Sequence, residues 1–240
     1  MIHIFNRVDE VLEGVAEYFV SVANKSIDAQ GSFTVALSGG SSPKKLYALL
    51  AADPYNNQVD WDKVFFFFGD ERYVPANNPA SNYQMVKKAM FEPLGIREDH
   101  IFAVDTTLPP AAAAKQYMEQ ISNYFKDADA IFDLVLLGLG DNSHTASLFP
   151  FTPVLHEQTA TVKEVFIPDQ QVYRITFTAA LINKAANIAF LVYGESKAQA
   201  VYNILEEERD IDTYPAQLIQ PLNGDPEWYL DEAAARKIKV

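Results

Sequence analysis

The run Gly138-Leu139-Gly140-Asp141-Asn142-Ser143-His144-Thr145-Ala146-Ser147-Leu148-Phe149-Pro150 places a histidine in a glycine-rich loop directly after the apolar stretch Leu134 to Leu137. Imidazole changes charge near neutral pH, so a neutral ring is the natural general base for activating water. Asp141, Asn142 and Ser143 are close enough along the chain to orient that ring. A lone histidine is more often structural, yet a place at the mouth of a parallel strand raises the catalytic reading of His144 above the structural one. Metal chemistry finds less support. His3, His100, His144 and His156 show no H-E-x-x-H spacing, and the absence of cysteine removes Cys-type zinc sites, thiolate nucleophiles and disulfides together.

Two other loops carry unusual chemistry. Leu37-Ser38-Gly39-Gly40-Ser41-Ser42-Pro43 follows an apolar run, and its glycines permit positive φ and close approach while Pro43 suits the first turn of a helix. Backbone N–H groups at such a helix start, helped by the Ser41 and Ser42 hydroxyls, form an oxyanion cradle. The GxxxxGK[ST] and GxGxxG spacings are both missing, so nucleotide binding is not supported; a tight turn with a serine cap is an equally good reading of this loop alone. Gly69-Asp70-Glu71-Arg72-Tyr73-Val74-Pro75 then sets three charges at the end of an aromatic strand. Asp70 is suited to proton transfer or to holding substrate hydroxyls, and Arg72 to gripping a phosphate or carboxylate. An Asp-Arg ion pair closing the loop is the structural alternative. Ser81-Asn82-Tyr83 reads as a capped helix start. Arg174 and Lys197 each lie beside a strand end, where a cation serves phosphate or is simply solvated.

These loops need a scaffold. Val8, Val11, Leu12, Val15, Phe19 and Val22 recur at helical spacing, and the pattern predicts a first helix ending before the polar stretch Asn24 to Ser32. Phe33 to Leu37, Val64 to Phe68, Phe132 to Leu137 and Ile188 to Tyr193 are short apolar runs of the kind covered on both faces of a sheet. Helical patterns over Pro43 to Ala51, Ser81 to Met90, Ala111 to Phe125 and Lys197 to Leu205 alternate with them, which predicts a doubly wound, mainly parallel α/β sheet with helices on both faces. Val162 to Ile167 and Val172 to Phe177 read as a further pair of strands whose pairing Pro168 leaves open. Ligands in such sheets bind beyond the carboxyl ends of the strands, so the loops at Ser38 to Ser42, Asp70 to Arg72 and Gly138 to His144 are expected to converge at one edge.

The 240 residues, 49% hydrophobic, are read as one domain, and no repeat or linker interrupts them. Nineteen basic against thirty-two acidic side chains give a net charge of -13, which disfavours nucleic acid and anionic membranes as partners. An anionic substrate then needs a local positive site. Met1 to Arg7 lacks an export signal and no apolar stretch is long enough to span a bilayer, so a soluble, cytoplasmic protein is expected, its oligomeric state left open by the sequence.

Ala36 to Pro43, Asp70 to Pro75 with Ser81-Asn82-Tyr83, and His144 to Pro150 resemble, in order, the motifs of the 6-phosphogluconolactonase family, a branch of the glucosamine-6-phosphate isomerase/deaminase superfamily. Arg174-Ile175-Thr176, Gly194-Glu195-Ser196-Lys197-Ala198 and Tyr214-Pro215-Ala216-Gln217 extend the resemblance towards the C-terminus. It implies hydrolysis of 6-phosphoglucono-1,5-lactone to 6-phosphogluconate in the oxidative pentose phosphate pathway, with no metal and no cofactor. It assigns His144 as general base, Ser38, Gly39, Gly40, Ser41, Ser42 and Lys197 to the phosphate, and Asp70, Arg72 and Arg174 to the substrate site. One departure stands out: Asn142-Ser143 occupies the place of the family's common Asp-Gly before the histidine. Asn can fix the ring's tautomer but cannot stabilise imidazolium as a carboxylate does, and Asp141, one residue earlier, is the available substitute. Two other readings stay open, an isomerase/deaminase using Asp70 as its carboxylate base and a non-catalytic sugar-phosphate-binding domain.

Overall fold

The computed structural model describes residues 1–126 and 128–239. Along the chain the elements are β1 (Ile2–Phe5), α1 (Val8–Gln30), β2 (Phe33–Leu37), α2 (Ser41–Leu50), β3 (Val64–Phe68), β4 (Asp70–Arg72), α3 (Asn82–Val86), α4 (Glu92–Leu94), α5 (Pro110–Tyr124), β5 (Leu134–Leu137), β6 (Val162–Ile167), β7 (Val172–Phe177), α6 (Ala179–Ile182), β8 (Ile188–Val192), α7 (Ala198–Leu205), β9 (Glu227–Asp231) and α8 (Glu232–Ala235). A π-helical turn, Lys87–Phe91, joins α3 to α4.

Six strands form a parallel sheet in the order β1-β9-β8-β5-β2-β3. The period-2 alternation of strand side chains divides its residues between two cores. Val35, Leu37, Phe66, Phe68, Leu134, Leu136 and Leu191 point to the face covered by α1 and α2. Ala36, Phe67, Val135, Leu137, Phe190 and Val192 point to the other, where they meet Tyr117 and Ile121 of α5 and Val201 of α7. Burial on both faces is what made these runs continuously apolar in sequence. That second face is covered by more than helices: β6 and β7 pair as an antiparallel hairpin, and β4 joins β7 to make a three-stranded sheet, β4-β7-β6.

Several boundaries differ from the sequence expectation. α1 continues past Asn24 to Gln30, because Ile27 still packs inward while Lys25, Asp28, Ala29 and Gln30 lie on the solvent side; Gly31 ends it at φ 85°, donating its N–H to Ile27 O. The run from Phe132 enters the ladder only at Leu134, since Asp133 turns its carboxylate to the Thr34 N–H at 2.7 Å and hydroxyl at 2.8 Å. Residues expected in the charged loop, Asp70 to Arg72, are strand β4. Strands β1 and β9 have no counterpart in the sequence expectation: four residues at the chain start and a run beginning and ending in carboxylates carry little periodicity, and tertiary pairing decides their state. Among the described residues, no helix is long and apolar enough to cross a membrane.

Strand order fixes where a ligand binds. The chain moves outward from β2 to β3, then returns to place β5 on the other side of β2. The loops after β2 and β5 therefore part at a topological switch point, leaving a crevice between them.

Candidate active site

A cavity of about 310 Å³ opens at this crevice, lined by Ser38 to Pro43 from the β2 loop, Asp70 and Arg72 from β4, Gly138 to Gly140 and His144 from the β5 loop, Arg174 from β7, and Lys197 before α7. The β2 loop, β4 and the β5 loop thus converge at one sheet edge. Asn82, Phe149, Gln170 and Tyr193 also line it; the first two lie within the motifs that carry the resemblance, but residue type gave none of the four a role in the site.

The β2 loop has the form of an anion cradle. Gly40 adopts φ 114° as the residue before α2, a conformation that favours glycine, and Ser41 and Ser42 follow in the helix's first turn, where backbone N–H groups have no helical acceptor. Ser38 has both backbone groups tied to the Tyr47 hydroxyl, N–H donating at 3.0 Å and C=O accepting at 2.8 Å. Its own Oγ is buried without a partner. At Gly39 the close approach is to a side chain. A Cβ there would lie 1.9 Å from Asn82 Oδ1, so the glycine makes room for a neighbouring side chain.

At the end of β3 both acidic side chains are held by hydrogen bonds within the protein. Glu71 accepts from the backbone N–H of Arg72 at 2.7 Å, Asn82 at 2.7 Å and Tyr83 at 2.8 Å, and from Ser81 Oγ at 3.1 Å. Burial raises its pKa, and the three amides oppose that rise. Ser81 in turn caps α3 by accepting from Gln84 N–H. Asp70 is buried with both oxygens engaged: Oδ2 accepts from Ser147 Oγ at 2.6 Å, Oδ1 from Asn82 Nδ2 at 3.2 Å. No Asp70–Arg72 ion pair forms. Arg72 donates instead to Ala80 O at 2.9 Å.

Arg72 faces Arg174 across the β4–β7 ladder, so two guanidinium groups come from neighbouring strand positions at the cavity wall. Arg174 donates to Gln170 Oε1 at 2.8 Å, and its buried Nε has no partner. Burial lowers its pKa, with nearby Asp70 opposing. Like charges set side by side with an open donor make a site for an anionic or oxyanionic group.

The β5 loop is built around the imidazole. A Cβ on Gly140 would fall 2.1 Å from the His144 ring, and the ring stacks on Phe149 with centroids 3.9 Å apart. His144 Nδ1 hydrogen-bonds Asn142 Oδ1. With the amide oxygen accepting, Nδ1 carries the proton and Nε2 keeps its lone pair. Burial, Lys197 and Arg174 together lower the His144 pKa from 6.5 to about 4, so the ring is neutral at physiological pH.

Asp141 does not hydrogen-bond the ring as an Asp at position 142 would, although its charge opposes the fall in the His144 pKa. Its carboxylate accepts from Lys197 Nζ at 2.6 Å and lies outside the cavity lining. Ser143, in the place of a common family glycine, nevertheless adopts φ 63°; it donates its N–H to Gly140 O at 2.9 Å and accepts from Ala216 N–H at 2.9 Å. The loop thus keeps a left-handed residue despite the side chain. Among the described residues, no group of three or more His, Asp or Glu side chains is arranged to hold a metal ion.

The family model described as glucosamine-6-phosphate isomerases/6-phosphogluconolactonase matches residues 6–228. A 6-phosphogluconolactonase from a Nostoc species is 40% identical over 219 residues, covering 90% of this chain and 88% of that one. One from Haemophilus influenzae is 38% identical over 202 residues, covering 84% and 86%. Among solved structures, 6-phosphogluconolactonase from Trypanosoma cruzi aligns with TM-score 0.88 at 27% identity, covering 100% of this chain and 97% of that one. The Trypanosoma brucei enzyme aligns with TM-score 0.85 at 28% identity, covering 100% and 98%.

Proposed function

This chain belongs to the glucosamine-6-phosphate isomerase/6-phosphogluconolactonase family, and we propose on that footing that it hydrolyses 6-phosphoglucono-1,5-lactone to 6-phosphogluconate in the cytoplasm, as one catalytic domain. The observation that carries this reading is a neutral imidazole, its Nδ1 held by Asn142, sharing one cavity with a helix-start anion cradle.

In this reading the substrate phosphate lies against Gly39, Gly40, Ser41 and Ser42, where α2 amides and the Lys197 ammonium act on the same anion. Phosphate competes with Asp141 for Lys197. The lactone carbonyl then reaches the β5 loop. His144 Nε2 takes a proton from water as the water oxygen bonds to C1, and the C1 oxyanion is steadied by the Arg174 and Arg72 donors. Collapse breaks the bond from C1 to the ring oxygen, which receives the proton from the imidazolium. The new carboxylic acid loses its proton to solvent, and the base is restored.

Asp70 fits this chemistry better than that of an isomerase. A proton shuttle between C1 and C2 needs a carboxylate with a free oxygen directed at substrate, whereas both Asp70 oxygens are held inside the protein by Ser147 and Asn82. Turnover of the lactone, with spontaneous hydrolysis subtracted, against turnover of glucosamine 6-phosphate on purified protein tests the choice. Faster conversion of glucosamine 6-phosphate would reverse it, and activity on neither would favour a binding domain.

A further inference from the structure

We propose that Asn82 is the positioning residue that sets the phosphate cradle against the histidine loop, an inference that rests on the lactonase reading. Asn82 opens α3 and is fully buried. Its Nδ2 donates to Asp70 O at 2.9 Å and to Asp70 Oδ1 at 3.2 Å, while its backbone N–H donates to Glu71 Oε1 at 2.7 Å. On its other side the amide fills the space that a side chain at position 39 would need: a Cβ on Gly39 would lie 1.9 Å from Oδ1, 2.3 Å from Cγ and 2.6 Å from Nδ2. Asp70 continues the chain of contacts, accepting at Oδ2 from Ser147 Oγ at 2.6 Å, and Ser147 N–H donates to Thr176 Oγ1 at 3.2 Å.

Gly39, half-buried, and the buried Asn82, Asp70 and Ser147 thus form one path from the loop after β2 to the loop after β5, reaching the latter three residues beyond His144. Both ends bear on the reaction, since one holds phosphate and the other the base. Asn82 Oδ1 is buried with no hydrogen-bond partner. An orphan acceptor is costly, so an apolar side chain of similar shape would serve packing better. What only the amide supplies is a donor to Asp70 on one edge and a flat surface against Gly39. A carboxylate in its place would set two like charges together. Spacing between phosphate and base is therefore held by a buried amide, and small errors in such spacing are expensive in rate.

The test compares two lactones, 6-phosphoglucono-1,5-lactone and unphosphorylated glucono-1,5-lactone, on wild type, Asn82→Ala, Gly39→Ala and the double variant. Asn82→Ala is expected to lower kcat for the phosphorylated lactone roughly 10-fold to 100-fold while KM changes less than about threefold. Its rate on the unphosphorylated lactone, which has no phosphate to register, should change less than about threefold. Gly39→Ala should cost about tenfold in wild type and little in the Asn82→Ala background, because the new methyl then enters space the amide has left. Equal losses on both lactones, or additive losses in the double variant, would overturn the positioning role. Where the unphosphorylated lactone is too slow to follow, the double-variant comparison decides alone. If Asn82→Ala does not fold, as judged by its melting transition, Asn82→Leu keeps a similar shape, removes the donor and adds no charge, and the same split between substrates is expected. A wild type inactive on both lactones would instead remove the lactonase reading itself.

Discussion

His144 is neutral because its surroundings penalise charge: it is half-buried, stacked on Phe149, and faces Lys197 and Arg174. The Asn142 amide sets the tautomer without compensating an imidazolium. Two measurements follow. His144→Ala should lose roughly 10²-fold to 10⁴-fold in kcat, the usual worth of a positioned base, after spontaneous hydrolysis is subtracted. In wild type, kcat/KM should rise with pH through about 4, the value at which the free imidazole gains its base form. Asn142→Asp places a negative charge on Nδ1–H, so that limb should move to higher pH; an unmoved limb would detach it from His144. Residue type and position together made His144 a candidate in the sequence, since a histidine in a strand-end glycine loop is unusual. The destination of Asp141 was not legible. Position along the chain put it beside the ring, but Lys197, fifty-six residues away, takes its carboxylate.

At the scale of elements, the strands that were read correctly are those buried on both faces, where continuous apolar sequence and structure coincide. Strands β1 and β9 lie towards one edge of the sheet and carry His3, Glu227 and Asp231, so their sequences look like loop. Their stability is tertiary: Trp228 of β9 is 4% exposed and stacks on Phe190 of β8 at 3.9 Å. Trp228→Ala should therefore destabilise the protein by about 3–5 kcal/mol, read from chemical denaturation, without altering KM, because the residue lies outside the cavity lining. The strained turn before His144 gives the opposite case. Ser143 holds φ 63°, a conformation that costs a non-glycine residue about 1 kcal/mol. Ser143→Gly should raise stability by about that amount; a loss would show that the long contact from Asn203 Nδ2 to Ser143 Oγ, at 3.3 Å, outweighs the strain.

Across the whole molecule, a net charge of -13 surrounds a cavity whose cations, Arg72, Arg174 and Lys197, are collected from three separate parts of the chain. Sequence reasoning found each cation because it stood beside a strand end, while their meeting depended on strand order, which places β2 between β5 and β3 and brings β7 alongside β4. Concentrating positive charge at the site links ligand, proton and fold. The native pKa of His144, about 4, lies below its ordinary 6.5, so the unfolded chain binds a proton that the native protein refuses. This contribution to stability is present above about pH 6.5, is lost as pH falls towards about 4, and changes no further below that. A bound phosphate that neutralises Lys197 weakens one cause of the depression, so the native pKa should rise and the loss on acidification shrink. Melting curves between pH 4 and pH 7 with and without inorganic phosphate measure both effects. Phosphate should raise Tm both at pH 7 and near pH 5, where the protonated ring it favours offsets the smaller charge that inorganic phosphate carries. Lys197→Ala should lower the phosphate-dependent rise at both pH values and increase KM for the lactone more than it reduces kcat. An undiminished rise in Lys197→Ala would move the phosphate away from that ammonium and leave the α2 amides as its holders.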